Sequence, residues 1–298
     1  MKRVTLGGST VEVSEICLGT MTFGNQTPEA EGHAQIDRAL DAGITFLDTA
    51  EMYPVNPVRR ETIGLTETII GTWLARTGKR DRVEIATKIT GPSQMVRDGA
   101  PYDGAIIRAA IDGSLKRLQT DRIDLYQLHW PVRGSYAFRQ NWTYDPSKQS
   151  KQQTLDHMAD VLDGLADARQ AGKIRAVGLS NESAWGLTQW CAVADRTGAP
   201  RMAAIQNEYS LLYRLFDTDL AEVAVNEDVT LLSYSPLAAG LLSGKYSGGA
   251  MPEGSRAAVD KASGGQGNLG GRKTPQGVAA TEAYGKLAAD HGWDAIHM

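Results

Sequence analysis

The chain has 298 residues, 42% of them hydrophobic, and a formal net charge of −4, with a pI near 5.8. That length can bury the core of one large α/β domain, and the mild acidity without basic blocks argues against nucleic acid or an anionic membrane as partner. Two cysteines, Cys17 and Cys191, far apart and without ligand spacing, argue against a disulfide framework or zinc site and read as small buried hydrophobes.

No apolar run approaches membrane-spanning length, and Met1-Lys2-Arg3-Val4-Thr5-Leu6-Gly7-Gly8 lacks the apolar stretch of a secretory signal. A cytoplasmic protein with no metal and no membrane contact is expected.

In chain order, residues 4–6 and 11–13 read as a hairpin with Gly7-Gly8 near its turn. Core strands are predicted at 16–18, 44–47, 83–87, 123–128, 174–179, 202–206 and 229–234. Helical patterns fall between them at 29–42, 60–77, 103–118, 154–171, 183–197 and 217–226. Such alternation argues for parallel strands joined by crossover helices. Gly43, Gly78 and Gly172 each stand just past a helical run, where a left-handed C-terminal cap belongs. Two long loops follow strands, 131–153 with several aromatics and 236–275 rich in Gly and Ser. Loops of that length are usually lids or linkers.

Three apolar runs end on ionisable residues. Phe46-Leu47-Asp48 is followed by Thr49-Ala50-Glu51-Met52-Tyr53; Val83-Glu84-Ile85-Ala86-Thr87 ends on Lys88; Ile123-Asp124-Leu125-Tyr126-Gln127-Leu128 ends on His129. Any one of them alone reads as easily as a solvated loop residue. Together, on parallel strands, Asp48, Tyr53, Lys88 and His129 reach the one rim where α/β barrels build their sites. A Rossmann arrangement would need a glycine-rich phosphate turn after the first strand. The junction here, Leu18-Gly19-Thr20-Met21-Thr22-Phe23-Gly24, lacks it.

These residues resemble the aldo-keto reductases, and more narrowly the branch of Tas-like reductases and potassium-channel β subunits. The likeness runs from Leu18-Gly19-Thr20-Met21 and Leu47-Asp48-Thr49-Ala50-Glu51-Met52-Tyr53 through Thr87-Lys88 and Gln127-Leu128-His129-Trp130. It continues in Gly178-Leu179-Ser180-Asn181, Ile205-Gln206-Asn207-Glu208-Tyr209, Ser233-Tyr234-Ser235-Pro236-Leu237 and Gly240-Leu241-Leu242-Ser243-Gly244-Lys245. The ordered succession is more specific than any single motif.

The resemblance implies a (β/α)8 TIM-type barrel with an N-terminal hairpin, a single domain over 1–298. It implies NADPH as cofactor, with NADH not excluded, and reduction of an aldehyde or ketone to an alcohol. Hydride delivery to a carbonyl builds negative charge on its oxygen, so a proton donor must stand within reach. Tyr53 is expected to be that donor. A free phenol titrates at about 10, and a neighbouring ammonium favours the phenolate, a role for Lys88. Asp48 would balance that buried cation, and His129 would orient the carbonyl. A strand-end cap and a structural histidine are the competing readings of the last two.

For the cofactor, the resemblance points to Gly19, Thr20, Met21 and Asp48, and to Ser180, Asn181 and Gln206 for a carboxamide. Tyr234 would offer a ring face. Ser235, Pro236, Leu237, Gly240, Ser243 and Lys245 match a diphosphate segment, with Arg256 in reach of the same anion. Trp130, Tyr136, Phe138, Trp142 and Tyr144, with Met21 and Phe23, would line a pocket for apolar carbonyls, although packing beneath a long loop explains them equally well.

The pattern reaches Met298 inside an expected seventh helix, so the last strand and helix of the barrel are expected to be missing. Such a chain is expected to be less stable and to bind NADPH more weakly than an extended one. A cofactor-binding regulatory subunit, or a remnant without turnover, is the alternative to an enzyme, and a homo-oligomer is left open. A metal-dependent hydrolase would need ligands clustered around His129, which has no adjacent His or Cys.

Overall fold

In the computed structural model, which describes residues 1–298, β1 (Arg3–Thr5) and β2 (Glu12–Ser14) form an antiparallel hairpin with Val4 opposite Val13. The core strands are β3 (Cys17–Gly19), β4 (Phe46–Asp48), β5 (Glu84–Ile89), β6 (Ile123–Leu128), β7 (Ile174–Ser180), β8 (Met202–Glu208) and β9 (Thr230–Tyr234). They lie in chain order in one seven-stranded sheet, and the pairs from β3 to β7 are parallel. Between and after them run α1 (Glu29–Asp41), α2 (Leu65–Thr77), α3 (Gly104–Leu118), α4 (Lys151–Gln170), α5 (Ala184–Thr197), α6 (Leu220–Asn226), α7 (Arg256–Ala262) and α8 (Pro275–Asp290). This is the (β/α)8 pattern through its seventh core strand, as expected.

Local chemistry explains the boundaries. Asp103, Ser150, Ser183 and Thr274 cap α3, α4, α5 and α8 by accepting the amides of Ile106, Gln153, Gly186 and Gly277. Each satisfies a donor that the first helical turn leaves open. The helix predicted from residue 60 divides, because Gly64 at φ 81 is left-handed and α2 starts only after it.

The chain partitions into two compact units. The first comprises Met1–Ser135, Asp145–Ile205 and Val223–Leu231. Its sheet register puts Asp48, Ala86, Leu125 and Ala176 in one row and Lys88, Gln127 and Gly178 in the next. Since side chains alternate along a strand, these rows share one face. The other face meets helices. There Glu67 of α2, fully buried, accepts from Thr87 Oγ1 at 2.6 Å and from Arg117 Nε of α3 at 2.6 Å. Asp124 joins Arg80 Nη2 (2.7 Å), Arg175 Nη1 (2.8 Å) and the Ile85 amide (2.9 Å).

The second unit comprises Tyr136–Tyr144, Gln206–Glu222 and Leu232–Met298. Residues 236–275, expected as a loop, hold 3-10 turns at Ala238–Ser243 and Ser247–Gly249 as well as α7. Ala238, Leu241, Leu242, Tyr246, Ala257 and Leu269 bury one another, which gives this segment its own small core despite its glycines. The buried carboxylate of Glu208 takes a paired contact from Arg272 (2.8 Å to each oxygen) and a third from Arg139 Nη2 at 2.7 Å.

Three further expectations change. Cys191 is buried, but Cys17 is exposed, since β3 is the outer strand of the sheet order. Phe23 packs into the core against Gly32 rather than lining a pocket. The last helix does not run to Met298, because α8 ends at Asp290 where the His291 amide turns back to Ala288 O.

Candidate active site

Asp48 ends β4, Lys88 lies near the end of β5, and His129 follows β6. Lys88 Nζ donates to Asp48 Oδ2 at 2.6 Å and to the Thr49 carbonyl at 2.8 Å, and its side chain is fully buried. Gln127 Nε2 donates to the other Asp48 oxygen at 3.2 Å. Tyr53, on the loop after β4, puts its ring centroid 5.1 Å from Lys88 Nζ. The same ring meets the His129 imidazole edge-on at 5.7 Å, and Trp130 lies 4.9 Å from that imidazole. The four residues singled out from strand ends therefore meet.

Their electrostatics follow from burial and charge. Burial lowers the Lys88 pKa, but the Asp48 carboxylate, Tyr53 and the hydrogen bond to Asp48 outweigh it, and the net shift is upward. Lys88 is an ammonium. Burial, then the Lys88 charge, holds His129 well below its usual range, so the imidazole is neutral. Its Nδ1 is buried without a hydrogen-bond partner in the protein.

Among the residues expected at the cofactor, those of the first unit gather around this cluster. Gly19 pairs with Asp48 across the sheet. Thr20 donates to the Asp48 carbonyl from its amide (3.0 Å) and hydroxyl (2.8 Å), and the Met21 carbonyl accepts from the Val55 amide at 2.9 Å. Asn181, at φ 56, follows Ser180 at the end of β7 and donates to His129 O (2.9 Å) and Ser180 Oγ (3.0 Å).

In the second unit, Gln206 is buried on β8 and Tyr234 ends β9 with its carbonyl accepting from the Tyr209 amide at 3.3 Å. On either side of Pro236, the carbonyls of Ser235 and Leu237 accept from the amides of Ala238 (2.8 Å) and Gly240 (2.9 Å). Ser243 Oγ donates to Gly240 O at 2.7 Å. A Cβ on Gly240 would stand 3.0 Å from Lys245 Nζ, so this glycine makes room for the ammonium against the turn. Arg256 opens α7 behind its Ser255 cap. Of the expected lid aromatics, Trp142 is 98% exposed and Phe138 about half exposed.

Reasoning from the sequence missed Gln127, Glu51 and Arg97. Gln127 was findable: it lies on β6 two residues after Leu125 and two before the His129 that follows the strand, and a polar residue inside an apolar run needs a partner. Arg97 offered no local signal, because its partner is 46 residues away.

The aldo-keto reductase family model matches residues 15–298, and this chain belongs to that family. It is 46% identical over 297 residues to protein tas of Escherichia coli K12, covering 97% of this chain and 82% of that protein. It is 35% identical over 250 residues to the uncharacterized oxidoreductase YrpG of Bacillus subtilis, covering 82% of this chain and 69% of YrpG. It is 34% identical over 252 residues to the aldo-keto reductase YhdN of the same species, covering 82% and 65%. The chain is thus an enzyme of the Tas-like branch, with the family's general activity, NADPH-dependent carbonyl reduction. No helix is long and apolar enough to cross a membrane.

Proposed function

We propose that this protein reduces aldehydes or ketones to alcohols with Tyr53 as proton donor, Lys88 and Asp48 as the charged pair behind it, and His129 as the group that orients the carbonyl. The observation that carries this reading is the fully buried Lys88 ammonium, 2.6 Å from Asp48 and 5.1 Å from the Tyr53 ring. As the carbonyl oxygen gains charge it takes the Tyr53 proton, and the nearby ammonium stabilises the phenolate left behind. Asp48 makes a buried cation tolerable there, because an unpaired ammonium in that position would neutralise instead. Neutral His129 offers one N–H to the carbonyl oxygen without adding a second positive charge beside Lys88.

The residues suit a nicotinamide dinucleotide. In the first unit Ser180 and Asn181 offer a hydroxyl and an amide suited to a carboxamide; in the second, Gln206 offers an amide and Tyr234 a ring face. The turn from Ser235 to Ser243 carries left-handed backbone at Ser235, Ala238, Ala239 and Gly240, the kind of conformation in which amides converge on an anion, and Lys245 is held against it. Thr20 and Met21 belong to the first unit's part of this proposal and Arg256 to the second's. When bound, the cofactor supplies the hydride; the chain supplies the binding, the proton and the field.

Two measurements test the reading. Tyr53→Phe should keep NADPH binding and lose roughly 10²–10⁴-fold in turnover of an aromatic aldehyde, the range for removing a positioned acid. Wild-type turnover in that variant would refute the assignment. Wild-type protein that binds NADPH yet turns over no carbonyl would favour a regulatory cofactor-binding role.

A further inference from the structure

Glu51, two residues before Tyr53, is a hub between two rim loops. Its amide donates to the Lys88 carbonyl at 3.0 Å. Its Oε2 accepts the Thr90 amide at 2.9 Å, and its Oε1 accepts Arg97 Nη1 at 2.7 Å. The other arm of Arg97 donates to the Thr90 carbonyl, so Thr90 is gripped at both its amide and its carbonyl. Both side chains of the pair are largely buried. Arg97 reaches this position from a turn whose Arg97 and Asp98 are both left-handed, at φ 54 and 49. That conformation is uncommon for an arginine, whereas an aspartate enters it readily.

From this we infer that Glu51 and Arg97 are positioning residues: a brace that locks the turn carrying Tyr53 onto the end of the strand carrying Lys88. The inference rests on the proposed role of Tyr53. The phenol and the ammonium come from different loops, and proton transfer depends on sub-ångström alignment between them. Glu51 belongs to the Tyr53 turn, whose other backbone bonds, the Tyr53 amide on Ala50 O at 3.0 Å and the Gly64 and Thr66 amides on Tyr53 O at 3.1 and 3.4 Å, do not reach the Lys88 strand. Thr90 lies two residues past Lys88 on the same chain direction. Fixing Glu51 to Thr90 therefore fixes the Tyr53 turn to the Lys88 strand end. An ion pair serving stability alone would have no reason to affect the chemical step more than binding.

The test compares Glu51→Gln, Arg97→Met, Arg97→Lys and the double variant Glu51→Gln/Arg97→Met, with Tyr53→Phe alongside, in NADPH titrations and steady-state reduction of an aromatic aldehyde. Expected are a kcat loss on the order of 10–100-fold in Glu51→Gln and Arg97→Met at unchanged NADPH affinity and little change in KM, the scale for a misplaced reacting group. Partial rescue is expected in Arg97→Lys, with a double variant no worse than the poorer single. Wild-type kcat in both single variants, a rise in KM alone, or additive losses would overturn the brace while Tyr53→Phe stays inactive. Full turnover by Tyr53→Phe would overturn the catalytic reading itself.

Discussion

Lys88 Nζ and Asp48 Oδ2 lie 2.6 Å apart although 40 residues separate them in the chain, and they sit one row apart on the same face of adjacent parallel strands. The register decides this contact. Asp48 pairs with Ala86, so Lys88 stands one side-chain step further along and reaches back to it. A one-residue slip would turn the ammonium to the opposite face, among the helices.

Because Lys88 is fully buried, the pair should behave as a unit. Asp48→Asn is expected to cost about 3–5 kcal/mol, the scale for stranding one member of a buried pair. The double variant Asp48→Asn/Lys88→Met should regain much of that stability while remaining without carbonyl reduction. Chemical denaturation and turnover assays on the three proteins check this, and equal stability of Asp48→Asn and wild type would contradict it.

The lowered pKa of His129 has a defined sign in acid. The folded chain keeps the ring neutral below the usual value of 6.5, whereas the unfolded chain takes up a proton there. The stability His129 contributes is therefore present above pH 6.5 and is lost as pH falls toward the depressed folded value. Urea midpoints should drop between pH 7.5 and 5, and His129→Gln should drop less. Identical slopes for both proteins would show that other groups carry the acid dependence.

Lys88 has the opposite window. With its folded pKa raised above 10.5, its contribution is full below that value and is lost as pH climbs through the folded one. Melting temperatures between pH 9 and 11.5 should fall more steeply for wild type than for the Asp48→Asn/Lys88→Met variant.

Gly178 lies beside Gln127 in the sheet, and a Cβ there would stand 3.0 Å from Ala204 O and 3.4 Å from Gln127 Cγ. Gly178→Val should cost about 1–3 kcal/mol through overpacking. It should also lower kcat, because the amide that steadies Asp48 is displaced. A variant with reduced melting temperature but unchanged kcat would leave Gln127 a purely structural neighbour.

Glu67 supports the fold on the far side of the sheet. Glu67→Gln keeps an acceptor for Thr87 but gives up the charge facing Arg117. A loss of about 1–3 kcal/mol is expected, the scale for hydrogen bonds to a charged group, with kcat of the folded protein preserved. Denaturation curves paired with initial rates separate the two effects.

Strand and helix alternation, the left-handed glycines Gly43, Gly78 and Gly172 past their helices and the four rim residues were legible in the sequence, because each is a local property. A short apolar run, a glycine just past a helical run, or an ionisable residue ending an apolar stretch needs only its neighbours to be recognised. Lys88 and His129 were read to one rim for that reason. The competing structural readings of Asp48 and His129 weakened only when the tertiary structure brought their side chains to Lys88 and Tyr53. It also decided that residues 236–275 build a small core around Tyr246 instead of an open loop, that Phe23 is packing and Cys17 is exposed, and that Arg97 reaches back to Glu51. Each of these depends on partners far along the chain, and long-range pairing is set by the combined packing of whole elements rather than by any local pattern.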